Sequence, residues 1–324
     1  MQFLNWNHFG IRFQQFNSEI EIPKSAITMA FHPDGRQLAA IILVALLVIL
    51  TITEMWLSYR ENRQYYEKRD TLTNIYLTAL AFLMNLAVNG STFFILSFAY
   101  RFRLFQISSS IIYWVVLVVV QDFLYWALHY VGHYCRLFWA IHVTHHSSEH
   151  FNFTTGFRST VFEPLYRVFF YLPLALMGFN AIDILYAYLI TQLYGNLVHT
   201  QYNIPLPKWY GLIFVTPSHH RVHHASNIPY LDKNMGMVLI IWDRMFGTFR
   251  AEDLPEPVKY GLTHPVENNG PVNILFHEWK ALLRDVKQAP TLAIKLKYLF
   301  NPPGWSHDGS TQTARVLQKE YENA

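Results

Sequence analysis

Sixteen of the 324 residues are histidine, and eleven of those lie between His129 and His224. They fall into clusters: His129-x-x-x-His133, then His142-x-x-His145-His146, then His219-His220-x-x-His223-His224, with His199 alone before the last. On a helix, residues three and four apart share one face, so each cluster points two or more imidazoles in one direction. Neutral imidazole is a good ligand for iron, zinc, copper or nickel. A single zinc site takes three or four protein ligands, whereas the clusters and His199 offer ten candidates, which fits two metals and not one. The zinc-protease pattern H-E-x-x-H fails, because Tyr130 occupies the position of the general-base Glu. A haem-thiolate site would rest on Cys135 alone, and a bis-histidine haem would leave most of the cluster unused.

The first cluster extends backwards, with Asp122, Trp126, His129 and His133 at i, i+4, i+7 and i+11 on one helical stripe. A carboxylate at membrane depth is costly unless it has a partner. Asp122 is therefore a candidate active-site residue, accepting an N–H from a ligating imidazole folded back beside it; the alternative is a helix-packing Asp paired elsewhere. His150 reads as a surface histidine and His264 and His277 as structural ones, while His8, His32 and His307 carry no assignment.

The elements that must position these residues are apolar. The run 38–50 has no polar side chain and, continued to Leu57, reaches the ~20 residues that cross a bilayer core. Glu54 near its end is expected to reach the interface. Residues 71–100 carry no charge and form a second span; 104–121 form a third, continuing as a helix through Asp122 and Trp126 to His129. Residues 164–198 are apolar but broken by Gly178, Asn180 and Asp183 into pieces short for full spans. They read as a hairpin, or equally as two short tilted spans. The expected fold is an all-α integral membrane protein: three spanning helices, an apolar helical hairpin and a cytoplasmic histidine-rich helical domain. The boundaries are an N-terminal segment 1–37, transmembrane helices 38–128, a catalytic domain 129–265 that includes the hairpin, and C-terminal interfacial helices and tail 266–324. In that last part, 274–286 has amphipathic spacing with Lys280, Arg284 and Lys287 on or beside the polar face, which suits acidic lipid or packing on the domain.

Composition agrees with a lipid environment. The chain is 52% hydrophobic and only 15% charged, against about 25% charged in an average soluble domain. A net charge of +3 argues against a nucleic-acid partner, and one cysteine excludes an internal disulfide. Arg60, Arg63, Lys68 and Arg69 crowd the loop after the first span, against Arg101 and Arg103 after the second and Arg12, Lys24 and Arg36 before the first. The positive-inside rule then makes the first loop cytoplasmic and carries everything from His129 onward to the same side. With no signal-peptide pattern in the sequence, the first span is expected to serve as the insertion signal.

The order HxxxH, HxxHH, HxxHH behind hydrophobic spans resembles the fatty acid hydroxylase superfamily, also called the sterol desaturase family, of membrane non-haem di-iron enzymes. The stretches that carry the likeness are QDFLYWALHYVGH from Gln121, HVTHHSSEHFN from His142, TPSHHRVHHASN from Thr216, DKNMGMVLIIWDRMFGTF from Asp232 and YGLTHP from Tyr260, within about residues 110–265. The resemblance implies that His129, His133, His142, His145, His146, His220, His223 and His224 ligate two iron ions, with His199 and His219 where members often place additional ligands. Two positions depart from the pattern: Tyr130 stands where the family commonly has Arg, and Tyr134 where some members have Glu.

By that resemblance the activity is O2-dependent insertion of oxygen into a C–H bond of a lipid, fatty acyl, alkyl-ether or sterol-like. Desaturation within the same superfamily is the nearest alternative. Electrons must come from an external donor, a pterin or a redox carrier protein, since no G-x-G dinucleotide fingerprint occurs. A dinuclear zinc lipid hydrolase would use the same imidazoles, with a carboxylate bridging or acting as base, for which only Asp122, Glu149 and Glu163 are at hand. A metal or proton transporter fits less well, because the histidines follow the ends of apolar segments instead of lying at membrane depth.

Overall fold

The computed structural model describes residues 35–324 apart from 108, 109, 159 and 267–269, so that His8, His32 and nearly all of the N-terminal segment lie outside the described residues. In chain order the helices are α1 (Gly35–Arg60), α2 (Lys68–Tyr100), α3 (Ile111–Tyr134), α4 (Arg136–His146), α5 (Phe153–Phe157), α6 (Pro164–Met177), α7 (Ala181–Leu197), α8 (Tyr210–Ile213), α9 (Pro217–His223), a 3-10 turn (Ile228–Tyr230), α10 (Ile241–Phe246), α11 (Pro271–Gln288), α12 (Leu292–Phe300) and α13 (Ala314–Glu322). No strand forms among the described residues; two isolated bridges pair Phe214 with Leu239 and Ala225 with Tyr260.

Helices α1, α2 and α3 are long and apolar enough to cross a membrane. Their outer faces expose Ile41, Ile49 and Ile52 on α1, Phe82, Leu86 and Phe94 on α2 and Ile111 and Ile112 on α3. An apolar surface of that extent belongs in lipid, where the helical backbone satisfies its own polar groups. Helix α3 changes environment along its length. It begins at an Ser110 cap that accepts from the Tyr113 amide, exposes its first turns, and then buries Gln121, Asp122, Trp126, His129 and His133 completely or nearly so. The sequence boundary at 128 falls inside this unbroken helix. At Cys135 the backbone turns extended and α4 starts at once, which swings the second histidine cluster back beside the first.

The apolar hairpin is α6 and α7, of 14 and 17 residues, joined at Gly178. Gly178 has φ +108°, and a Cβ there would lie 2.2 Å from the Phe105 carbonyl oxygen, so both backbone conformation and space require glycine. Leu174, Phe179 and Ile184 of the hairpin pack with Leu96 of α2 and Leu117 of α3 in the main apolar core. Polar ties fix the docking. Gln121 bridges the Tyr171 and Thr191 hydroxyls, and the Tyr113 hydroxyl donates to Asp183 at 2.8 Å while accepting from the Asn180 amide. Such contacts recur between helices packed in membranes.

One expectation changes, and one of two open alternatives is taken. Glu54 does not reach an interface. It is 4% exposed and accepts from the Tyr66 and Thr200 hydroxyls and the Phe153 amide, so it pins the end of α1 to the connection before α2, to the start of α5 and to the turn after α7. The amphipathic helix α11 turns its apolar stripe inward: Ile274 and Leu275 pack against Leu77 and Ala81 of α2, and Leu282 packs with Ala140 of α4. Arg136 holds it there through Glu278 and Asp285, each at 2.7 Å.

Arg158 makes the densest tie between membrane helices and histidine domain. It is 2% exposed; its Nε donates to the Thr144 carbonyl, Nη1 to Asp70 and Asn74, and Nη2 to Ser147, all at 2.7–2.9 Å. Arg158→Met leaves Asp70 without its cation and is expected to cost about 3–5 kcal/mol. Denaturant unfolding in detergent checks this, and a loss below ~1 kcal/mol contradicts the tie.

Candidate metal centre

The HxxHH spacing divides each cluster between two sites. His142 and His146, four apart on α4, join His129 and His133 of α3 and His223 of α9 in one group; His145, His199, His220 and His224 make the other. Thus α4 sends a pair to the first group and a single imidazole to the second, and the segment from α9 does the reverse. The ligating atoms of each group all lie within 4.8 Å of one another. The groups abut: the His146 and His224 rings stack at 4.4 Å.

The Nδ1 atoms show which nitrogens are free to ligate. Nδ1–H of His129 donates to the Met235 carbonyl at 2.7 Å, that of His145 to the Arg158 carbonyl at 3.0 Å, that of His199 to the Gly195 carbonyl at 2.6 Å and that of His223 to the Lys233 carbonyl at 2.9 Å. Nδ1–H of His133 donates to the Asp232 carboxylate at 3.0 Å. A carbonyl can only accept, so in each of these four rings the proton sits on Nδ1 and the lone pair on Nε2, as in metal-ligating histidines generally. Burial holds His142, His146, His199, His220, His223 and His224 well below the ordinary histidine pKa and lowers His145 to about 4, which keeps them in the neutral, ligating form.

The Nε2 atoms then face one another: His129 to His142 at 3.0 Å, His142 to His146 at 3.1 Å and His199 to His220 at 2.9 Å. Nε2 of His133 and of His223 are buried with no partner. His129 and His199 turn an Nε2 lone pair towards these neighbours, and nitrogens gathered this closely in each group are the neutral donors that a metal ion takes. The residues present fit two metal ions.

Residues 114–248 match the fatty acid hydroxylase family model. That stretch carries a fatty acid hydroxylase domain. The chain is 38% identical over 195 residues to an alkylglycerol monooxygenase of Homo sapiens, covering 57% of this chain and 40% of that protein. To the alkylglycerol monooxygenase of Xenopus tropicalis it is 34% identical over 267 residues, 79% of this chain and 57% of that one. An ornithine lipid hydroxylase of Rhizobium tropici is 29% identical over 153 residues, 46% of this chain and 45% of its own. The chain therefore spans about half the length of these relatives. No solved structure matches it.

Two sequence expectations are corrected. His219 is in neither group: it sits in the capping box of α9, where Thr216 Oγ1 accepts from its amide and its Nδ1 accepts from the Thr216 amide, each at 3.3 Å. Asp122 accepts no imidazole proton. Its oxygens are filled by the Val238 and Leu239 amides and the Trp242 Nε1–H at 2.9–3.1 Å, because the stripe above His129 faces the 232–248 segment and not the other clusters. Asp243 does the same work from the opposite direction, accepting from the Met235 and Gly236 amides, Trp126 Nε1–H and Thr248.

Residues 232–235 are what the sequence reading missed as partners of the ligands. Asp232 and Asn234 have φ of +52° and +55°, a region Asp and Asn tolerate better than other L-residues. That turn aims the Asp232 carboxylate and the Lys233 and Met235 carbonyls at His133, His223 and His129. Asn234, fully buried, braces it through the His219 and Arg250 carbonyls. Tyr130 and Tyr134, the two departures from the family pattern, stack on each other at 4.2 Å outside both groups, and the Tyr134 hydroxyl reaches the Asp232 carbonyl at 3.4 Å. Losing the carboxylate in Asp232→Ala is expected to lower metal affinity about 10–100-fold, whereas Asp232→Asn, which keeps an acceptor and the φ, retains most of it. Metal per folded chain, measured against a competing chelator, distinguishes the two.

Proposed function

We propose that this chain is a membrane-bound non-haem di-iron oxygenase that inserts oxygen into a C–H bond of a lipid. The observation that carries the reading is the pair of all-imidazole groups, the first of which takes His129 and His133 from a helix long and apolar enough to cross a membrane. His129, His133, His142, His146 and His223 would hold one iron and His145, His199, His220 and His224 the other. Bound there, such a pair supplies O2 activation strong enough to attack an unactivated C–H bond.

The chain's own residues do the rest. The carbonyls and Asp232 hold Nδ1 protons and so fix each ring; burial excludes water; the three spans bring an acyl, alkyl-ether or sterol-like chain to the site from the bilayer. Neither group includes a carboxylate among the described residues, which weighs against a dinuclear zinc hydrolase needing a carboxylate base at the metals. Electrons come from an external donor, a pterin or a redox carrier protein. The names of the relatives favour hydroxylation over desaturation as the outcome.

Protein purified without chelators should hold two iron ions per chain, and His129→Ala, His145→Ala and His223→Ala should each lower metal content and abolish lipid-dependent O2 uptake. Full occupancy and turnover in any two of them refutes the assignment. We place the site on the cytoplasmic side because of the Arg60, Arg63, Lys68 and Arg69 cluster between the first two spans. A single cysteine at Ser226 in a Cys135→Ser background should be protected from impermeant thiol reagents in intact cells and labelled after permeabilisation; labelling from outside reverses the topology.

A further inference from the structure

The apolar outer surface of the spans continues past their ends. On α3 the exposed face runs through Ile111, Val115 and Val119, and the next turn is covered: Phe123 packs against Trp242 and Phe246, with ring centroids 5.1 and 6.1 Å away. The covering segment is itself apolar on the outside. Met245 beside Phe246 is 68% exposed, and on the adjoining α8 Leu212 is 58% exposed between exposed Trp209 and Ile213. Surfaces that meet only water rarely gather this many large apolar side chains in one patch.

Helices α8 and α10 form one unit. The Ile240 amide donates to the Ile213 carbonyl at 2.9 Å, and Arg244 Nη2 to the Gly211 carbonyl at 3.2 Å. The unit is tied to the bundle at α7, where the Tyr194 hydroxyl accepts from Tyr210 at 2.9 Å and donates to the Val215 carbonyl at 2.6 Å. The chain enters it from the end of α1, where the Tyr202 hydroxyl donates to Glu61 at 3.4 Å. The patch therefore adjoins the ends of the spans, continuous with the exposed Leu197 of α7 and Val119 of α3. At that depth Trp and Tyr sit among lipid headgroups while Lys and Arg reach past them into water, and Lys208, Trp209 and Tyr210 follow one another here.

The charge of the patch is one-sided. Lys208 has no ion pair among the described residues, and Arg244 lies over the Phe249 ring, 3.8 Å from its centroid, with no carboxylate partner among them. Glu252 is taken by Arg221 at 2.7 Å, and Asp243 is buried against the Met235 and Gly236 amides. Beside Lys208 opens a cavity of about 210 Å3, lined by Asn203, Ser218 and Arg221 and by the exposed Ile204 and Leu206. Ser218 Oγ, like Lys208 Nζ, has no partner among the described residues. With Arg221 neutralised, the cavity offers one free cation and one free hydroxyl, which suits a single negative charge. Its volume, the share of about seven liquid waters at ~30 Å3 each, admits a phosphodiester. A free anion gains nothing from Ile204 and Leu206, whereas the glycerol and acyl ends of a lipid do.

We propose that α8, α10 and the segment 204–209 are seated in the headgroup layer of the bilayer, and that the cavity at Lys208 and Ser218 holds the phosphate of an anionic phospholipid. The proposal rests on the membrane spans and not on the oxygenase reading. Full-length protein in nanodiscs, in a Cys135→Ser background, carries Ile49→Cys, Leu212→Cys or Met245→Cys labelled with bimane. Brominated phosphatidylcholine should quench the labels at 212 and 245 to within about twofold of the lipid-facing reference at 49, and iodide should quench them little. Quenching by iodide and not by brominated lipid leaves the patch in water and overturns the proposal. Protection from both quenchers means that protein covers it, a second copy or a redox carrier, and overturns it too.

The cavity is tested in non-ionic detergent by displacing a fluorescent phosphatidylglycerol with phosphatidylglycerol, phosphatidylcholine or inorganic phosphate. Phosphatidylglycerol should compete about fivefold better than phosphatidylcholine, the worth of one lysine at an anionic surface, and inorganic phosphate alone should not compete. Lys208→Gln should remove the difference and Lys208→Arg retain it; Lys208 is exposed, so both are expected to keep the melting temperature and metal content of wild type. A preference that survives Lys208→Gln, or displacement by inorganic phosphate alone, overturns the headgroup assignment.

Discussion

Nine imidazoles packed with their Nε2 atoms converging is the constraint on which the rest of this structure depends. Three pairs of these Nε2 atoms lie only 2.9–3.1 Å apart, and each ring must be kept from rotating away. The fold answers from outside the histidine clusters. Carbonyls at Met235, Arg158, Gly195 and Lys233 and the Asp232 carboxylate each take an Nδ1 proton, and those acceptors are in turn fixed by buried groups. Asp122 and Asp243 are part of this outer layer. Between them they tie α3 to the backbone of 235–242, so the helix that carries His129 and His133 and the turn that orients them move as one body.

The second requirement is to build a polar, rigid site against lipid. Exposed isoleucines and phenylalanines face outward on the first two spans, while the ends of the spans carry charged groups turned into the protein. Glu54 and Asp70 are the examples, one gripping the amide of Phe153 and the other Arg158. Because Arg158 also donates to the Thr144 carbonyl, and its own carbonyl takes the His145 proton, a membrane helix and one of the clustered imidazoles share one guanidinium-centred network. A cavity lined by Arg167 and Glu163 extends the same polar layer into the bundle, next to His142 and His145.

Much of this was legible in the residue order. Uncharged runs of span length determined three membrane helices, because an unpaired charge in hydrocarbon is too costly to place by chance. Gly178 and its polar neighbours marked the break that makes the hairpin. The spacing of four within HxxxH and HxxHH determined that His142 and His146, or His220 and His224, share a face. The same periodicity put Asp122 and Trp126 in line with His129, and both do point into the domain.

What those side chains meet was decided only by tertiary structure. Helical phase tells which way Asp122 faces, but its partners come from Val238, Leu239 and Trp242, more than a hundred residues away. His219 stands one residue from a member of the second group, yet one residue is a hundred degrees around a helix, and its ring turned back to cap its own first turn. That His142 and His146 join His129 and His133 follows from the reversal of direction at Cys135, which no residue count announces. Asp232 and the carbonyls beside it were invisible because a backbone acceptor has no residue type to read, and only the chain's return past α3 brings them to the imidazoles.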